Sequence, residues 1–187
     1  GEAPEPAVAS QRAEVEPPVP HGVMSRTAGL GLAFALALSV FFIDRGLKRL
    51  IESSMRLGES IPLIPNVLHL TYIRNEGGAF GILGGQGSIL LLGSVIAVTF
   101  VLWMLLKRPP THAMVVGCGL ILGGAAGNLL DRLSAGEVTD YVDIRVWPIF
   151  NTADVAIVLG VTILLLTTLG PKAGQRPATG KKPEAKS

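Results

Sequence analysis

The sequence contains four long, predominantly apolar stretches, and this pattern constrains its fold more than any other feature. The stretches are residues 27–50, 87–106, 111–130 and 150–170. The hydrocarbon core of a bilayer is about 30 Å thick, and about 20 residues of α-helix are needed to cross it. Hydrophobic residues make up 49% of the chain and charged residues only 16%, a balance typical of membrane proteins. We therefore predict an α-helical membrane protein with four transmembrane helices.

The sequence around these stretches predicts the domain organisation. Residues 1–26 and 171–187 are polar and show no apolar periodicity, so we expect a disordered N-terminal extension and a disordered tail around a membrane domain at residues 27–170. Cytoplasmic segments carry an excess of Lys and Arg. The basic residues that favour cytoplasmic termini are Arg26, Lys107, Arg108, Lys172, Arg176, Lys181, Lys182 and Lys186. Segments 51–86 and 131–149 would then be extracytoplasmic.

Two local patterns refine this organisation. Residues 67–73, VLHLTYI, are rich in β-branched and aromatic residues, and residues 75–78, NEGG, are typical of a turn or bulge. We expect a small extracytoplasmic β-sheet of two or three strands after the first helix. In the third stretch Gly119, Gly123 and Gly127 recur every four residues, a spacing that lets helix backbones approach closely. This spacing predicts a central position for the third helix.

Ionisable residues in the apolar stretches need an explanation, because charges at membrane depth are costly and often functional. Asp44 and Lys48 lie four residues apart on one helix face and could pair. A structural ion pair, or a lysine that reaches toward the membrane surface, is the simpler interpretation of these two residues. At the end of the third stretch, a membrane boundary explains Asp131 and Arg132, whereas Asn128 lies nearly one turn inside.

The main chemical signal is a pair of acidic residues around the start of the fourth stretch. Asp154 lies about 6 Å along the helix from Phe150, Asn151 precedes it by three residues, and Asp140 falls in the connecting loop. Two carboxylates that meet in a partly desolvated site share a proton, so that one is an acid and the other a base. Such a pair suits water-activated peptide hydrolysis. Spacing alone leaves open a proton- or ion-conducting site, or plain helix-end acids.

Other chemistries find little support in the sequence. His21, His69 and His112 are spread over a tail, a predicted strand and a loop, without the spacing of metal ligands, so we expect neither a metal nor a cofactor. The net charge of +2 is too small to indicate a nucleic-acid partner. The lone cysteine, Cys118, excludes an internal disulfide, and its apolar surroundings predict a small buried hydrophobe.

Four sequence blocks carry a resemblance to a known family. They are DRGLK (residues 44–48), RNEGGAF (74–80), GGAAGNLLDRLSAGEVTDYVD (123–143) and FNTADVAI (150–157). In this order, and with the four stretches, residues 27–170 resemble the bacterial lipoprotein signal peptidases (signal peptidase II), which are intramembrane aspartyl peptidases. The resemblance implies a multi-pass enzyme of the bacterial inner membrane, with its active site near the extracytoplasmic face. Its partners would be membrane lipids and prolipoproteins, cleaved just before a diacylglyceryl-modified cysteine.

The resemblance also assigns roles to individual residues. Its catalytic pair corresponds to Asp140 and Asp154, and it implies hydrolysis without a covalent intermediate. Asp131 and Asp143, although close in sequence, would then lie outside the pair. Supporting roles, in orienting the substrate or the carboxylates or in holding the site together, fall on Asn75, Asn128, Arg132, Asn151, Asp44 and Lys48.

The chain departs from the family pattern at two positions, and two other functions stay open. Gly78 stands where the family usually has Ala, and Thr139 replaces a commoner apolar residue and could alter the hydrogen bonding of Asp140. A small transporter would use Asp44, Lys48 and Asp154 as a proton relay, with ionisable groups spread toward both faces. A non-catalytic scaffold would assemble through the glycines of the third stretch and would tolerate the loss of either aspartate.

Overall fold

The computed structural model describes residues 24–76 and 87–169. Within these ranges the chain forms four α-helices and three β-strands. In chain order they are α1 (Arg26–Ser54), β1 (Ser60–Ile64), β2 (Leu68–Asn75), α2 (Gly87–Lys107), α3 (His112–Ala135), β3 (Val138–Asp143) and α4 (Thr152–Leu169). The predicted C-terminal tail, most of the predicted N-terminal extension, and Gly77 and Gly78 of the predicted turn lie outside the described residues.

The first helix begins inside the segment that we predict to be disordered. Ser25 caps α1, because its hydroxyl oxygen accepts a hydrogen bond from the backbone N–H of Ala28 at 3.3 Å. The backbone N–H of Met24 donates to the carbonyl oxygen of Pro110 at 2.9 Å, which ties the start of α1 to the α2–α3 connection. A cap and a backbone contact therefore order residues 24–26, and the domain boundaries stay predictions.

The third helix is the centre of the bundle and packs against each of the other three helices. A Cβ atom at Gly123 would lie 2.5 Å from the carbonyl oxygen of Ala37 in α1. On another face of α3, a Cβ atom at Gly117 would lie 2.8 Å from the side chain of Leu164 in α4. The predicted close approach through glycines is confirmed, because these positions leave no room for a side chain. Cys118, also on α3, is fully buried in the apolar core as predicted.

The three strands form one antiparallel sheet in the order β1-β2-β3. Ile73 of β2 lies opposite Asp140 of β3 in the register. The sheet is only partly where the sequence predicts it, because β3 follows α3 and Asp140 therefore lies in a strand, not in a connecting loop. β3 is rich in β-branched and aromatic residues, as a strand with a pairing partner requires. The sheet packs on the end of α1 through a buried apolar cluster of Ile51, Met55, Tyr72 and Tyr141.

The length and composition of two described helices, α1 and α3, suffice to cross a membrane. The described side chains of α2 and α4 form shorter apolar segments, Leu91–Lys107 and Thr152–Thr167. All four helices carry large exposed hydrophobic residues, including Phe42 on α1, Leu92 on α2, Leu133 on α3 and Leu166 on α4. Exposed apolar surface of this extent suits an apolar solvent better than water.

Candidate active site

Asp154 lies in the first turn of α4 and forms a reciprocal cap with Asn151. The side-chain oxygen of Asn151 accepts a hydrogen bond from the backbone N–H of Asp154 at 3.0 Å, and Asp154 Oδ2 accepts one from the backbone N–H of Asn151 at 3.2 Å. This is the geometry of a capping box. The second carboxylate oxygen, Oδ1, accepts from Asn128 Nδ2 at 2.8 Å. Because a helix N-terminus favours negative charge, the cap both orients and stabilises the Asp154 carboxylate.

Asp140 lies in β3 and is only 3% exposed. Its Oδ1 accepts a hydrogen bond from Asn151 Nδ2 at 2.7 Å, and its Oδ2 accepts one from Asn75 Nδ2 at 2.9 Å. Burial raises the pKa of Asp140 from 3.8 to about 6; the nearby charge of Asp154 adds to the rise, whereas the hydrogen bonds from Asn75 and Asn151 oppose it. Asp140 therefore keeps its proton to a higher pH than an exposed aspartate does.

Asn151 connects the two acidic residues through a single buried side chain. It is fully buried, and its Nδ2 donates to Asp140 while its Oδ1 accepts from the Asp154 backbone. The same Nδ2 also lies 3.1 Å from Asn128 Oδ1. The folded chain thus brings Asp140 and Asp154 together, with the predicted supporting residues Asn75, Asn128 and Asn151 as their hydrogen-bond donors.

A buried cation lies behind this layer of amides. Lys48 is fully buried, and its Nζ donates to Asn128 Oδ1 at 2.8 Å and lies 2.7 Å from carboxylate oxygens of both Asp44 and Asp131. The predicted pairing of Asp44 with Lys48 is confirmed. Arg45 adds an ion pair with Asp131. Because an ammonium group can only donate hydrogen bonds, Asn128 must turn its oxygen to Lys48 and its Nδ2 to Asp154.

Both acidic side chains line one cavity of about 280 Å³. Its polar lining consists of Asn75, Asn128, Arg132, Asp140 and Asp154, and its apolar lining of Val138, Trp147, Pro148, Ile149 and Phe150. Arg132 is anchored to α2, since its Nη1 donates to Ser94 Oγ at 3.3 Å. Of the other predicted site residues, Asn151, Asp44 and Lys48 lie behind this lining.

A second cavity, of about 700 Å³, lies between α2, α3 and α4. Its lining is almost entirely apolar and includes Ile157, one turn after Asp154 along α4, and Arg108 near the α2–α3 connection. The cavity therefore extends from the neighbourhood of the acidic pair toward the opposite end of the bundle.

The two other acidic residues near the site are held by cations and are absent from the lining of the 280 Å³ cavity. Lys48 and Arg45 hold Asp131. Asp143 accepts from Thr71 Oγ1 at 3.0 Å and from the backbone N–H and Nη1 of Arg145 at 2.8 and 3.0 Å. Burial raises the pKa of Asp143, but these hydrogen bonds outweigh it and hold that pKa below its ordinary value.

Thr139, which departs from the family pattern, faces away from Asp140. Its hydroxyl donates to Glu52 Oε1 of α1 at 2.7 Å. Its backbone carbonyl oxygen lies 3.4 Å from Asn151 Nδ2, where it competes with Asp140 for that donor. The side chain therefore links β3 to α1, and any effect on Asp140 passes through Asn151.

Several residues at the site are missed by sequence reasoning. Trp147 lines the cavity, Arg45 completes the ion cluster, and the Tyr141 hydroxyl contacts the Thr152 hydroxyl at the start of α4. Arg45 carries a usable signal, since it adjoins Asp44 in an apolar stretch. The contact of Tyr141 has no sequence signal, because buried aromatic residues are common in strands and nothing in the sequence indicates that this hydroxyl contacts Thr152.

The lining of the smaller cavity offers a substrate two carboxylates, side-chain amides and a guanidinium. Within the described ranges, no three His, Cys, Asp or Glu side chains lie close enough together to hold a metal ion. Two carboxylates, one of which holds its proton to about pH 6, can act on water as a base and an acid at the same time. The fold and the site thus define the class of protein: an aspartic-type hydrolase on an apolar helical scaffold.

Comparisons with known proteins identify the family. The sequence profile of the family described as Signal peptidase (SPase) II matches residues 36–170. The lipoprotein signal peptidase of Halothermothrix orenii is 41% identical over 135 residues, covering 72% of this chain and 93% of the relative. That of Desulfitobacterium hafniense is 46% identical over 132 residues, covering 70% of this chain and 87% of the relative.

Solved structures agree with the sequence relatives. A structure described as a bacterial membrane enzyme has a TM-score of 0.73 and 30% identity, and the match covers 81% of this chain and 96% of that one. A second bacterial membrane enzyme has a TM-score of 0.69 and 32% identity, with 75% and 94% covered. The chain belongs to the signal peptidase II family of aspartic-type peptidases. Its helical bundle and three-stranded sheet are those of a membrane enzyme.

Proposed function

We propose that this chain is an aspartyl endopeptidase that removes the signal peptide from prolipoproteins, with Asp140 and Asp154 as its catalytic pair. The cleaved bond is the one just before the diacylglyceryl-modified cysteine of the substrate. The observation that carries the proposal is Asn151: one buried side chain is hydrogen-bonded to Asp140 and caps the helix turn of Asp154, and both carboxylates line the same cavity.

The two aspartates share one proton before the reaction. Burial favours Asp140 as its holder, since burial raises the pKa of this residue to about 6. The ionised partner, Asp154, accepts a proton from water as the water oxygen attacks the scissile carbonyl carbon. Asp140 donates its proton to the carbonyl oxygen, which gives a neutral tetrahedral diol. When that diol collapses, the C–N bond breaks, the proton held by Asp154 passes to the leaving amine, and a diol hydroxyl returns a proton to Asp140.

The supporting residues hold the two carboxylates in position. Asn75 and Asn128 each donate to one carboxylate, and Asn151 contacts both acidic residues. Arg132 lines the cavity and directs a positive charge toward it, so we assign it to the substrate backbone, where it stabilises oxygen charge that develops during attack. Lys48 fixes Asn128, and Asp44 holds Lys48.

The 700 Å³ cavity suits the apolar part of a signal peptide. Its apolar walls begin one turn from Asp154 and run down the bundle, so a helical apolar segment that lies there would present its following residues to the acidic pair. The lipid on the substrate cysteine would remain in the bilayer beside the site. Membrane lipids thus complete the substrate-binding surface.

We infer that all four helices cross the bacterial inner membrane, as a single domain at residues 27–170 with both termini in the cytoplasm. α2 has 21 residues and α4 has 18, lengths that fit the hydrocarbon core with about 20 residues. The acidic pair and the sheet then lie at the extracytoplasmic end. This arrangement accounts for the gathering of the acidic residues of α1, α3 and α4 at one end, which a transmembrane proton relay does not require.

The test is cleavage of a purified diacylglyceryl-modified prolipoprotein by the purified enzyme and its variants. Asp140→Asn and Asp154→Asn are each expected to lower kcat by about a thousandfold, because each removes one half of the acid–base pair. Asp143→Asn is the matched control: Asp143 lies in the same strand and is similarly buried, at 5% exposed against 3% for Asp140. It should retain near wild-type turnover well below its melting temperature.

Full cleavage by either dyad variant would contradict the proposal. The same assay with an unlipidated substrate tests the assigned specificity. We expect poor cleavage of that substrate, and equal cleavage of both substrates would show that the lipid is not recognised.

A further inference from the structure

The first turn of α4, which carries Asp154, has an acceptor for each of its early backbone N–H groups. The first N–H groups of a helix have no partner within the helix, so side chains or water must accept their hydrogen bonds. The acceptors here come from three elements: the turn itself, α1 and β3. In donor order, Asn151 N–H donates to Asp154 Oδ2, Thr152 N–H to the Tyr141 hydroxyl, Ala153 N–H to Asp44 Oδ1, and Asp154 N–H to Asn151 Oδ1.

The contact with Tyr141 is distinctive because it joins the two elements that carry the catalytic pair. Tyr141 follows Asp140 directly in β3, and Thr152 precedes Asp154 by two residues in α4. The Tyr141 hydroxyl hydrogen-bonds the Thr152 hydroxyl and accepts from the Thr152 backbone N–H at 3.3 Å. Nearby, the backbone N–H of Val142 donates to the Phe150 carbonyl oxygen at 2.8 Å, so β3 and the approach to α4 are already aligned.

We propose that Tyr141 is a positioning residue for the reaction: its hydroxyl, together with that of Thr152, sets where Asp154 stands relative to Asp140. This inference rests on the assignment of Asp140 and Asp154 as the catalytic pair. Tyr141 itself does not line the 280 Å³ cavity, so we assign its effect on the reaction to the first turn of α4.

The ring and the hydroxyl of Tyr141 have separate roles, the ring in packing and the hydroxyl in hydrogen bonding. The ring is 4% exposed and packs with Ile51, Met55 and Tyr72 in the cluster between α1 and the sheet; this burial supports folding. The hydroxyl contacts only the start of α4 among the described partners. Burial, the largest influence, raises the pKa of Tyr141, and the hydrogen bonds with Thr152 oppose that rise. The hydroxyl therefore stays protonated and able to donate at neutral pH.

The experiment removes one hydroxyl at a time and keeps the ring. In the assay with lipidated prolipoprotein, Tyr141→Phe and Thr152→Val are each expected to lower kcat about tenfold, since small displacements of reacting groups are costly. KM should stay within about twofold. The double variant should be about as impaired as Tyr141→Phe alone, because Tyr141→Phe already breaks the contact between the two hydroxyls that Thr152→Val removes. Thr152→Ser, which keeps a hydroxyl, should restore most of kcat.

Tyr72→Phe is the matched control. Tyr72 lies in the same buried cluster and is 5% exposed, but its hydroxyl accepts from Arg74 Nε at 3.3 Å and, within the described residues, forms no hydrogen bond with the first turn of α4. It should lose stability comparably and keep wild-type kcat. A Tyr141→Phe enzyme with wild-type kcat would overturn the inference, and so would equal losses of kcat in Tyr141→Phe and Tyr72→Phe.

The two proposals fail separately. Inactive Asp140→Asn and Asp154→Asn variants beside a fully active Tyr141→Phe variant would overturn the role of Tyr141 and leave the proposed function intact. An active Asp140→Asn or Asp154→Asn variant would remove the proposed function and, with it, the basis of the positioning role.

Discussion

Two buried aspartates in one strand, Asp140 and Asp143, show how contacts decide what a carboxylate does. Among the described residues, Asp140 accepts from neutral amides alone, and burial raises its pKa to about 6. Asp143 also accepts from a guanidinium and a backbone N–H, and its pKa stays below the ordinary value although burial acts to raise it. Asp140 can thus exchange a proton, whereas Asp143, three positions later in the same strand, holds the loop that follows it.

This difference predicts opposite effects on stability. The unfolded chain ionises Asp140 near pH 3.8 and the folded chain near pH 6, so the folded state loses stability as the pH rises through that window. The loss amounts to at most about 3 kcal/mol. Asp140→Asn should therefore raise the melting temperature above pH 6, and the gain should vanish near pH 4.

Asp143→Asn should show the reverse behaviour. The folded pKa of Asp143 is depressed, so this residue contributes stability at neutral pH that is lost as the pH falls through its folded pKa. The variant should melt below the wild type at pH 7. Thermal unfolding from about pH 3 to pH 8 measures both effects. A destabilised Asp140→Asn enzyme at pH 8 would contradict the assigned burial cost.

Sequence reasoning at the residue scale succeeds where contacts are local. The Asp44–Lys48 pair follows from a four-residue helical spacing, and the capping partners Asn151 and Asp154 are three residues apart. The contact of Lys48 with Asn128 spans 80 residues and that of Ala153 with Asp44 spans 109. Spacing contains no information on such contacts, so only the resemblance to a family grouped these residues before the fold was known.

At the scale of elements, the α1–α3 contact determines how deep the ion cluster can lie. Gly123 and Gly127 of α3 face α1 without side chains, and a Cβ atom at Gly127 would lie 2.5 Å from Asp44 Oδ2. The absence of a side chain there gives Asp44 room to pair with Lys48 and to accept from Ala153. The four-residue glycine spacing predicts this contact correctly, because close helix packing needs small residues on one face.

A single added methyl group tests the α1–α3 contact. Gly123→Ala should destabilise the protein by about 1–3 kcal/mol, because the Cβ atom would meet the Ala37 carbonyl oxygen and the Val40 side chain. Gly46→Ala is the control, since no atom lies within 4 Å of its added Cβ, and alanine in an open helix position stabilises by up to about 1 kcal/mol. Equal melting temperatures for the two variants in detergent would exclude a tight contact at Gly123.

The strands are harder to predict than the helices. β3 has only six residues, VTDYVD, and a segment of that length has no periodicity that separates a strand from a loop. Its pairing with β2 depends on residues such as Ile73, 67 positions earlier in the chain. The segment becomes a strand because it can pair with the edge of β2. That pairing depends on the whole fold and cannot be read from the segment alone.

At the scale of the whole molecule, chemistry and membrane contact are separated along the bundle. The charged cluster, the sheet and the acidic pair gather at one end, while the helices below present large exposed hydrophobic residues. Composition predicts this division well, because apolar surface of that extent requires lipid. Composition alone does not say which end faces outward, because orientation depends on how the basic residues are distributed over the connecting segments.

Cysteine labelling of intact cells tests the orientation. The sole native cysteine, Cys118, is fully buried and should stay silent. Val146 is 86% exposed near the acidic pair, and Lys107 is exposed at the opposite end, where α2 finishes. A membrane-impermeant maleimide should label Val146→Cys in intact cells and Lys107→Cys only after permeabilisation. The reverse pattern would invert the proposed topology, and labelling of both in detergent is the positive control.

The buried lysine also bears on how the chain enters the membrane. Because the ribosome makes α1 before α3, Asp44 and Lys48 reach the lipid before Asp131 and Asn128 have been synthesised. Their spacing on one helix face lets the two charges neutralise each other during insertion. When α3 inserts later, Asp131 and Asn128 join this ion pair, and the cluster then spans both α1 and α3. Lys48 thus enters the membrane with its charge already paired to Asp44, before the rest of the site is in place.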